Sequence, residues 1–403
     1  GVQTCALPIW KIPMILIKNG TVKTMAGPDI ENGQVLIDGG KIVAVGKEVN
    51  APADAQVIDA QGCLVAPGFV EAHCHIGLDE EAIGFEGDDY NEMTDPVTPQ
   101  MRGIDGLNPM DEALFDAYSH GVTTAVTGPG SANVVGGTFL AIKLCGKRVD
   151  NMVVKNPVAM KIAFGENPKR CYGASQKKMP MTRMGTAALL RELLVKAENY
   201  REEMDAYEQD PKNNKKPTYD CKLHAMLPVM RKEIPLKSHA HRADDIFTSL
   251  RIAKEFDLDI TLDHCTEGHL IADELAKEGK PCLVGPTFGA KSKFELKNKC
   301  WDTPKVMVEH GLKTCIITDA PVIPLKYLPL CAGLAINAGL DEQEAWKAVT
   351  INPAEVAGIG DRVGSLEVGK DADVVVYQGN PLTDLQYTTK YTVINGEIVY
   401  KAE

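Results

Sequence analysis

Two histidines that lie one residue apart, His73 and His75, give the sequence its clearest sign of chemistry. They end an apolar run with strand character that begins at Val65. Because side chains alternate along a strand, both imidazoles point to the same side and Cys74 points to the other. Two convergent imidazoles form half of a metal site, and a cation such as zinc needs further nitrogen or oxygen donors. We therefore expect more ligands elsewhere in the chain.

Further candidate donors lie in or directly after other runs with strand character: Lys161, His239, His264 and Asp319. In a parallel barrel the carboxyl ends of the strands meet at one mouth, so side chains distant in sequence converge there. A single histidine or aspartate at a strand end is more often a capping or loop residue. Because all of these residues fall in strands or at strand ends in chain order, a shared site is the better interpretation.

The middle of the chain, residues 67–362, alternates predicted strands with predicted helices, which is typical of a parallel sheet or barrel. One further strand within 139–154 completes eight, so we predict an α/β fold built on a (β/α)8 TIM barrel. A helix is expected near 111–119, and leucines at helical spacing predict another over 187–207, followed by a polar loop at 210–217. The other predicted strands are 65–75, 121–127, 158–164, 234–239, 259–264, 281–285 and 313–319.

The two ends of the chain differ from this middle. Short apolar runs separated by Asn-Gly and Asp-Gly-Gly predict hairpins near both termini. We therefore expect one small β-sandwich domain assembled from residues 14–66 and 363–403. Residues 1–9 resemble the translation of a sequencing adapter, so we exclude residues 1–13 as a non-native leader, with Met14 as the expected start.

The composition limits the classes of function. The 403 residues are 44% hydrophobic and 24% charged, which is ordinary for a soluble globular protein. A formal net charge of -12 argues against nucleic-acid binding, and no apolar run in the sequence is long enough for a membrane span. Eleven scattered cysteines without a Cys-x-x-Cys pair indicate reduced thiols in a cytoplasmic protein. We expect an enzyme with a small-molecule substrate that assembles as a homo-oligomer.

Three segments carry a resemblance to a known family. They are Pro-Gly-Phe-Val-Glu-Ala-His-Cys-His at 67–75, Ile-Thr-Asp at 317–319, and the tail at 364–376 with its Gly-Lys-Asp-Ala-Asp sequence. Together they resemble the amidohydrolase superfamily, most closely its imidazolonepropionase-like branch, over residues 15–400. The resemblance implies a barrel that holds one or two divalent metal ions, usually zinc, with manganese as the alternative. Water activated by the metal would hydrolyse a C–N bond.

The resemblance also assigns roles by position. The more buried metal would be bound by His73, His75 and Asp319. The more exposed metal would be bound by His239 and His264. Lys161 would bridge the two metals after it reacts with carbon dioxide to form a carbamate, which requires a neutral amine and so a lowered pKa. If Lys161 pairs with a carboxylate instead, the centre would hold one metal.

The expected mechanism uses two catalytic residues, Asp319 and His241. Asp319 would take the proton of the attacking water and pass it to the leaving nitrogen. The oxyanion would rest on the second metal or on His241 or His264. Strand five offers two histidines: His239 follows the strand directly and is favoured as the ligand, while His241 lies on the same side and would contact substrate.

Several alternatives stay open. Glu166 and Glu267 are near enough in sequence to compete as ligands. The favoured substrate is a small or cyclic amide other than a peptide, whereas a dipeptidase would need a cation for the peptide carboxylate, a role that Arg242 could fill. A deaminase of an amino-substituted ring would use the same metals, but no glutamate follows strand five as a proton shuttle. A scaffold barrel without metals should lack some ligands, and this chain keeps a full candidate set.

Two loops lie near the predicted mouth. The segment 79–95 is rich in aspartate and glutamate, and it is either a lid that disfavours anionic substrates or a solvated surface loop. The glycine-rich segment 128–137 lacks a phosphate-binding fingerprint and is interpreted as a loop over the site, in which Asn133 either contacts substrate or forms a turn. Cys74 and Cys265 adjoin ligands but are expected to point away from them as buried thiols.

Overall fold

The computed structural model describes residues 13–403, so residues 1–12 of the predicted leader lie outside the described residues. Within that range the strands form two eight-stranded sheets. In chain order the strands are β1 Ile15–Val22, β2 Ile30–Asp38, β3 Lys41–Gly46, β4 Gln56–Asp59, β5 Leu64–Pro67, β6 Phe69–Cys74, β7 Val122–Thr127, β8 Val135–Lys143, β9 Val153–Ala163, β10 Leu236–Ala240, β11 Ile260–His264, β12 Cys282–Val284, β13 Thr314–Ile316, β14 Val374–Gln378, β15 Thr388–Ile394 and β16 Glu397–Lys401.

The helices lie mainly between the strands of the second sheet. A π-helical segment, Lys169–Ser175, follows the short helix after β9. In chain order the α-helices are α1 Gly103–Gly106, α2 Glu112–Ser119, α3 Glu166–Pro168, α4 Arg183–Gln209, α5 Cys221–Met230, α6 Ala243–Glu255, α7 Ala272–Glu278, α8 Thr303–Glu309, α9 Leu328–Asn337, α10 Glu342–Ala348 and α11 Ile351–Val356. No helix within residues 13–403 is both long enough and apolar enough to cross a membrane.

Strands β6 to β13 form the predicted barrel in chain order. Hydrogen-bonded neighbours run parallel except at β8, which is antiparallel to both β7 and β9. The strand that we placed within 139–154 is therefore β8, which begins earlier and turns back into β9 without a full helix between them. Residues 135–137, predicted as the end of a loop, belong to this strand, all of which is buried. Its glycines made this part of the strand look like a loop in the sequence. Glycine is needed at Gly137, whose φ is +117°, because a Cβ there would lie 2.3 Å from the Met101 carbonyl oxygen.

The predicted strand 65–75 is two strands that belong to different sheets. β5 pairs with β1 and β14 in the small sheet, and β6 begins the barrel at Phe69. Gly68 separates them, and a Cβ there would lie 2.1 Å from Thr123 Oγ1, so glycine allows close approach to β7. One apolar run thus joins the small domain to the barrel directly before His73.

The small sheet takes its strands from both termini, which confirms the composite β domain. Its order is β16-β15-β14-β5-β1-β2-β3, with β4 beside β1. The turn at Gly40 contacts the turn at Gly396, so the two ends of the sheet meet around an apolar core. That core includes Ile15, Ile17, Val35, Ile37, Val65, Val374, Val376 and Val393.

The two predicted helices are present, and the longer one extends beyond its predicted bounds. α4 begins four residues earlier than expected because the Thr182 hydroxyl accepts the backbone N–H of Gly185 at 3.0 Å, an N-cap bond. Its buried face carries Leu190, Leu193, Leu194 and Ala197. Residues 210–217 form the predicted loop.

A buried ion network joins the barrel to the small domain. Lys143, at the end of β8, places its Nζ 3.1 Å from Asp371 Oδ2 and also contacts the Asp373 carboxylate. Asp371 keeps two other cationic partners, Lys41 and Arg362. The network therefore ties the second half of the small domain to the wall of the barrel.

We predict that Lys143→Met lowers the free energy of unfolding by about 2–3 kcal/mol, because it leaves the buried Asp373 carboxylate without the Lys143 ammonium. Urea unfolding measures this change. Lys41→Met is the matched control, since Lys41 bonds the same Asp371 at 2.6 Å from a half-exposed position and should cost about 1 kcal/mol or less. An equal decrease in the free energy of unfolding in the two variants would contradict the larger contribution assigned to the buried Lys143.

Candidate metal centre

The residues predicted to form the site lie at the carboxyl end of the barrel. His73 and His75 lie at the end of β6 and just after it, and Lys161 lies in β9. Further around the barrel are His239 and His241 at β10, His264 at the end of β11, and Asp319 after β13. His264 and Asp319 have left-handed backbones, with φ of +79° and +55°. Such strain costs about 1–3 kcal/mol per residue and concentrates at functional sites.

His73, His75 and Asp319 form the first cluster, in which the candidate ligand atoms all lie within 4.8 Å of one another. His73 Nδ1 donates to Asp263 Oδ2 at 2.5 Å, and His75 Nδ1 donates to the Gly128 carbonyl oxygen at 2.7 Å. Their Nε2 atoms lie 3.4 Å and 3.2 Å from Asp319 Oδ1. Since each Nδ1 carries the proton in the neutral ring, the Nε2 lone pairs lie near a carboxylate oxygen, an arrangement that a cation between them would stabilise.

His239, His241 and His264 form the second cluster, also within 4.8 Å. His264 Nδ1 donates to the Gly285 carbonyl oxygen at 2.8 Å, which leaves its buried Nε2 without a partner. Neither ring nitrogen of the buried His239 has a hydrogen-bond partner. Buried polar atoms are normally satisfied, so these orphaned nitrogens fit a divalent metal that prefers imidazole ligands.

The electrostatics favour the protonation states that metal ligands need. Burial lowers the pKa of His73, His239 and His264 well below the usual value and that of His241 to about 4, so these imidazoles are neutral. Burial raises the pKa of Asp319, but the neighbouring His264, His75 and Lys161 lower it by more, to about 2. The donor set is therefore neutral nitrogen plus one carboxylate, which suits zinc.

Lys161 lies fully buried between the strands, with its Nζ 3.1 Å from His73 Nε2. Burial lowers its pKa to about 8, although Asp263 and Asp319 act in the opposite direction. The neutral amine, which is the form that reacts with carbon dioxide, is therefore more populated near neutral pH than in an ordinary lysine.

Sequence reasoning missed Glu295, a buried carboxylate in the loop after β12. Its Oε1 lies 3.7 Å from His241 Nε2 and 3.9 Å from His239 Nε2. Oε1 also accepts from Lys293 Nζ at 3.0 Å, and Oε2 accepts the backbone N–H of Glu166 at 3.0 Å. Only its position as the single acidic residue in the lysine-rich stretch 291–299 could have drawn attention to it.

Asp263 was also missed, because the period-two rule places it on the opposite side of β11 from His264, the predicted ligand. The left-handed backbone of His264, with φ of +79°, breaks that alternation, so both side chains lie at the site. Asp263 Oδ2 binds His73 Nδ1 and lies 2.9 Å from Lys237 Nζ, while Asp263 Oδ1 accepts from Thr261 Oγ1 at 2.7 Å. All of these groups are buried. Asp263 thus fixes the orientation of the His73 ring, as carboxylates behind metal-binding histidines do.

Glu71 closes the barrel beside the first cluster. Strands β6 and β13 do not pair by backbone hydrogen bonds among the described residues, and Glu71 bridges this seam. Its carboxylate accepts the backbone N–H groups of His73 and Thr318, both at 2.9 Å. Burial raises its pKa to about 7 despite these bonds. The bridge holds the end of β6, which carries His73, against the segment that carries Asp319.

The two glutamates that we named as competing ligands lie outside both clusters. The Glu166 carboxylate pairs with Arg170. The Glu267 carboxylate accepts the Ala243 backbone N–H at 2.9 Å and Asn298 Nδ2 at 2.8 Å. Their bonds anchor the loops around the mouth instead.

Two other candidates are held by neighbouring side chains. The Arg242 guanidinium forms a two-pronged pair with Asp244 at 2.9 Å and 2.8 Å, so its charge is already compensated. Asn133 is buried and bonded to Thr98 and Tyr172, which is the structural alternative that we kept open for it.

The thiols of Cys74 and Cys265 bond to backbone carbonyls and take no part in either cluster.

The acidic segment 79–95 lies beside the first cluster. The Tyr90 ring packs against the His75 ring at a tilt, with the ring centroids 5.1 Å apart. Asn91 Oδ1 accepts the Ala132 backbone N–H at 3.0 Å. Several of its carboxylates bond to other parts of the surface, such as Asp95 with Lys222 at 2.6 Å. The segment therefore covers one side of the mouth.

Comparisons with known proteins agree with this architecture. The sequence model of the amidohydrolase family matches residues 230–399. The solved structure of an amidohydrolase from Thermotoga maritima has a TM-score of 0.92 and 40% identity, and the match covers 96% of this chain and 100% of that one.

Curated relatives also match. An imidazolonepropionase of Caldanaerobacter subterraneus subsp. tengcongensis is 26% identical over 419 residues, which cover 94% of this chain and 93% of the relative. Amidohydrolase tasK of Hapsidospora irregularis is 30% identical over 384 residues, or 87% of this chain, but the match spans only 38% of that longer protein.

Proposed function

The chain belongs to the amidohydrolase superfamily, and on that premise we propose that it is a zinc-dependent hydrolase of a C–N bond other than a peptide bond, in a small or cyclic amide. The observation that carries the proposal is the pair of clusters at the mouth of the barrel: one holds the buried, unpartnered nitrogens of His239 and His264, and the other holds Asp319 with His73 and His75. The match to an imidazolonepropionase over most of both chains supports the choice of a cyclic amide.

The proposed ligands are those expected from the sequence: His73, His75, Lys161, His239, His264 and Asp319. When bound, zinc lowers the pKa of water and polarises the substrate carbonyl. Asp319 then accepts the water proton and delivers it to the leaving nitrogen. His241, whose Nδ1 lies 2.7 Å from Thr266 Oγ1, holds its Nε2 toward the mouth and steadies the developing oxyanion.

The number of metals depends on Lys161. A carbamate on this lysine would add a negatively charged oxygen ligand beside His73 and support a second metal. The depressed pKa of Lys161, about 8, supports this modification. Mass spectrometry of the native protein, with and without added bicarbonate, tests for it.

A deaminase of an amino-substituted ring is the second candidate, and Glu295 favours it. No glutamate follows strand five as a proton shuttle, but Glu295 supplies a carboxylate near the strand-five histidines from the loop after β12. A carboxylate at that place can move a proton between water and a ring nitrogen. Reading ammonia separately from acid or amine release distinguishes the two reactions.

We also propose a cytoplasmic location. The ten cysteines within residues 13–403 are all free thiols, which supports a reducing compartment.

The proposal is tested by metal analysis and a substrate screen on the whole protein. We expect the protein to retain one or two zinc ions after gentle purification, to lose activity on chelation, and to regain it with zinc or manganese. The screen offers cyclic amides, dipeptides and aminated heterocycles to each metal form. A trace of metal with no gain on adding zinc would overturn the proposal and favour a scaffold.

A further inference from the structure

Lys293 is a cation at the mouth of the barrel to which neither the sequence nor the family comparison assigns a role. It lies in the loop after β12, whose other lysines include the exposed Lys291 and Lys297. Lys293 turns inward instead, and only 20% of its side chain is exposed. Its Nζ donates to Asn167 Oδ1 at 2.9 Å and to Glu295 Oε1 at 3.0 Å.

This ammonium group lies directly beside the second cluster. The Glu295 oxygen that accepts from Lys293 is the same oxygen that lies 3.7 Å from His241 Nε2 and 3.9 Å from His239 Nε2. Asn167, the other partner, comes from the segment after β9. Two loops that follow different barrel strands therefore hold the ammonium in one place beside the proposed reaction site.

The hydrogen-bond count leaves Lys293 able to bind a ligand. An ammonium group has three N–H donors and no acceptor, and two of its donors are used. The third donor has no partner among the hydrogen bonds of Lys293, so it is left for a ligand beside the second cluster. Arg242, the cation first considered for this role, directs two N–H groups at the exposed Asp244. The carboxylate partner of Lys293, Glu295, is instead buried beside the second cluster.

We propose that Lys293 binds a carboxylate of the substrate, so that the enzyme acts on amides that carry a carboxylate near the scissile C–N bond. This inference rests on the proposed function and narrows its substrate class. The acidic segment 79–95 lies at β6, beside the first cluster, whereas Lys293 follows β12. A substrate carboxylate directed toward Lys293 thus meets a cation on the side of the mouth that the second cluster occupies.

The test compares matched substrates that differ only in charge. The zinc-loaded protein is offered pyroglutamate with its carboxamide, N-acetyl-L-leucine with its carboxamide, and L-leucyl-L-proline with its carboxamide. We expect wild-type protein to prefer the carboxylate of a hydrolysed pair by about 10- to 100-fold in kcat/KM, the range for one charge-assisted hydrogen bond. Lys293→Met should remove that preference, mainly through KM, and Lys293→Arg should retain most of it.

Lys291→Met is the matched control, because Lys291 has the same charge on the same loop but is exposed and bonds the Lys297 carbonyl oxygen. It should keep the wild-type preference. If Lys293 serves only to neutralise Glu295, Lys293→Met will slow both members of a pair equally, and the inference is overturned. Hydrolysis confined to neutral cyclic amides would also overturn it but would leave the proposed function intact. No hydrolysis of any substrate by protein that retains zinc would overturn the proposed function itself.

Discussion

Asp319→Asn is expected to reduce kcat by about 10³-fold or more while most of the metal stays bound. The amide that replaces the carboxylate has nearly the same shape and keeps an oxygen that can face the metal. It cannot accept the proton of the attacking water, whereas the pKa of Asp319, lowered to about 2, indicates that the native group is an ionised carboxylate. Steady-state kinetics and metal analysis on the same preparation measure both quantities.

Asp361→Asn is the control for this substitution, because Asp361 is an exposed aspartate in the segment after α11, away from the carboxyl ends of the barrel strands. It should leave both kcat and metal content unchanged. If Asp319→Asn keeps wild-type activity, Asp319 has no part in proton transfer. If instead activity and metal are lost in proportion, Asp319 acts as a ligand only.

The sequence was sufficient to predict the first cluster because its geometry is local or follows from topology. Period-two alternation places His73 and His75 on one side of a strand, whatever the rest of the fold. Asp319 joins them because strand ends converge in a barrel. The structure brings these three residues within 4.8 Å of one another.

Two features could not be predicted for reasons that are equally physical. β8 contains Gly136 and Gly137, which weaken the strand pattern, and its antiparallel direction depends on the chain turning back between β7 and β8, at residues 128–134. Glu295 reaches the second cluster from a short 3-10 helix, Phe294–Leu296, within the loop after β12, and no sequence period links such a side chain to a strand end. Loop conformation is decided by tertiary contacts such as the bond of Glu295 to the Glu166 backbone N–H.

The buried charges around the site form two hydrogen-bonded groups, one inside the barrel and one at its mouth. Inside the barrel, Asp263 satisfies Lys237, Thr261 and the His73 ring. At the mouth, Glu295 satisfies Lys293 and faces the second cluster. We infer that the inner group orients the metal ligand His73, while the outer group contacts the substrate. The inner one should therefore control metal affinity and the outer one substrate preference.

Asp263→Asn is the strongest test of the inner group. The substitution removes the carboxylate that pairs with the buried Lys237 ammonium. Because an unpaired charge then stays buried, the free energy of unfolding of the metal-free protein should fall by about 3–5 kcal/mol. It also weakens the bond that orients His73, so zinc affinity should fall by about 10- to 100-fold. Urea unfolding of chelated protein and competition with a chromophoric chelator measure the two effects independently.

The two effects can be separated by a second substitution. Adding Lys237→Met to Asp263→Asn removes the unpaired charge, so stability should largely return while zinc affinity stays low, because the His73 ring still lacks its anionic partner. Thr261→Val is the matched control: it removes only a neutral donor to Asp263 Oδ1, at a cost of about 1 kcal/mol, and should leave zinc affinity near wild type. Wild-type zinc affinity in Asp263→Asn would show that His73 is oriented by packing against Phe139, whose ring lies 5.3 Å away, rather than by the carboxylate.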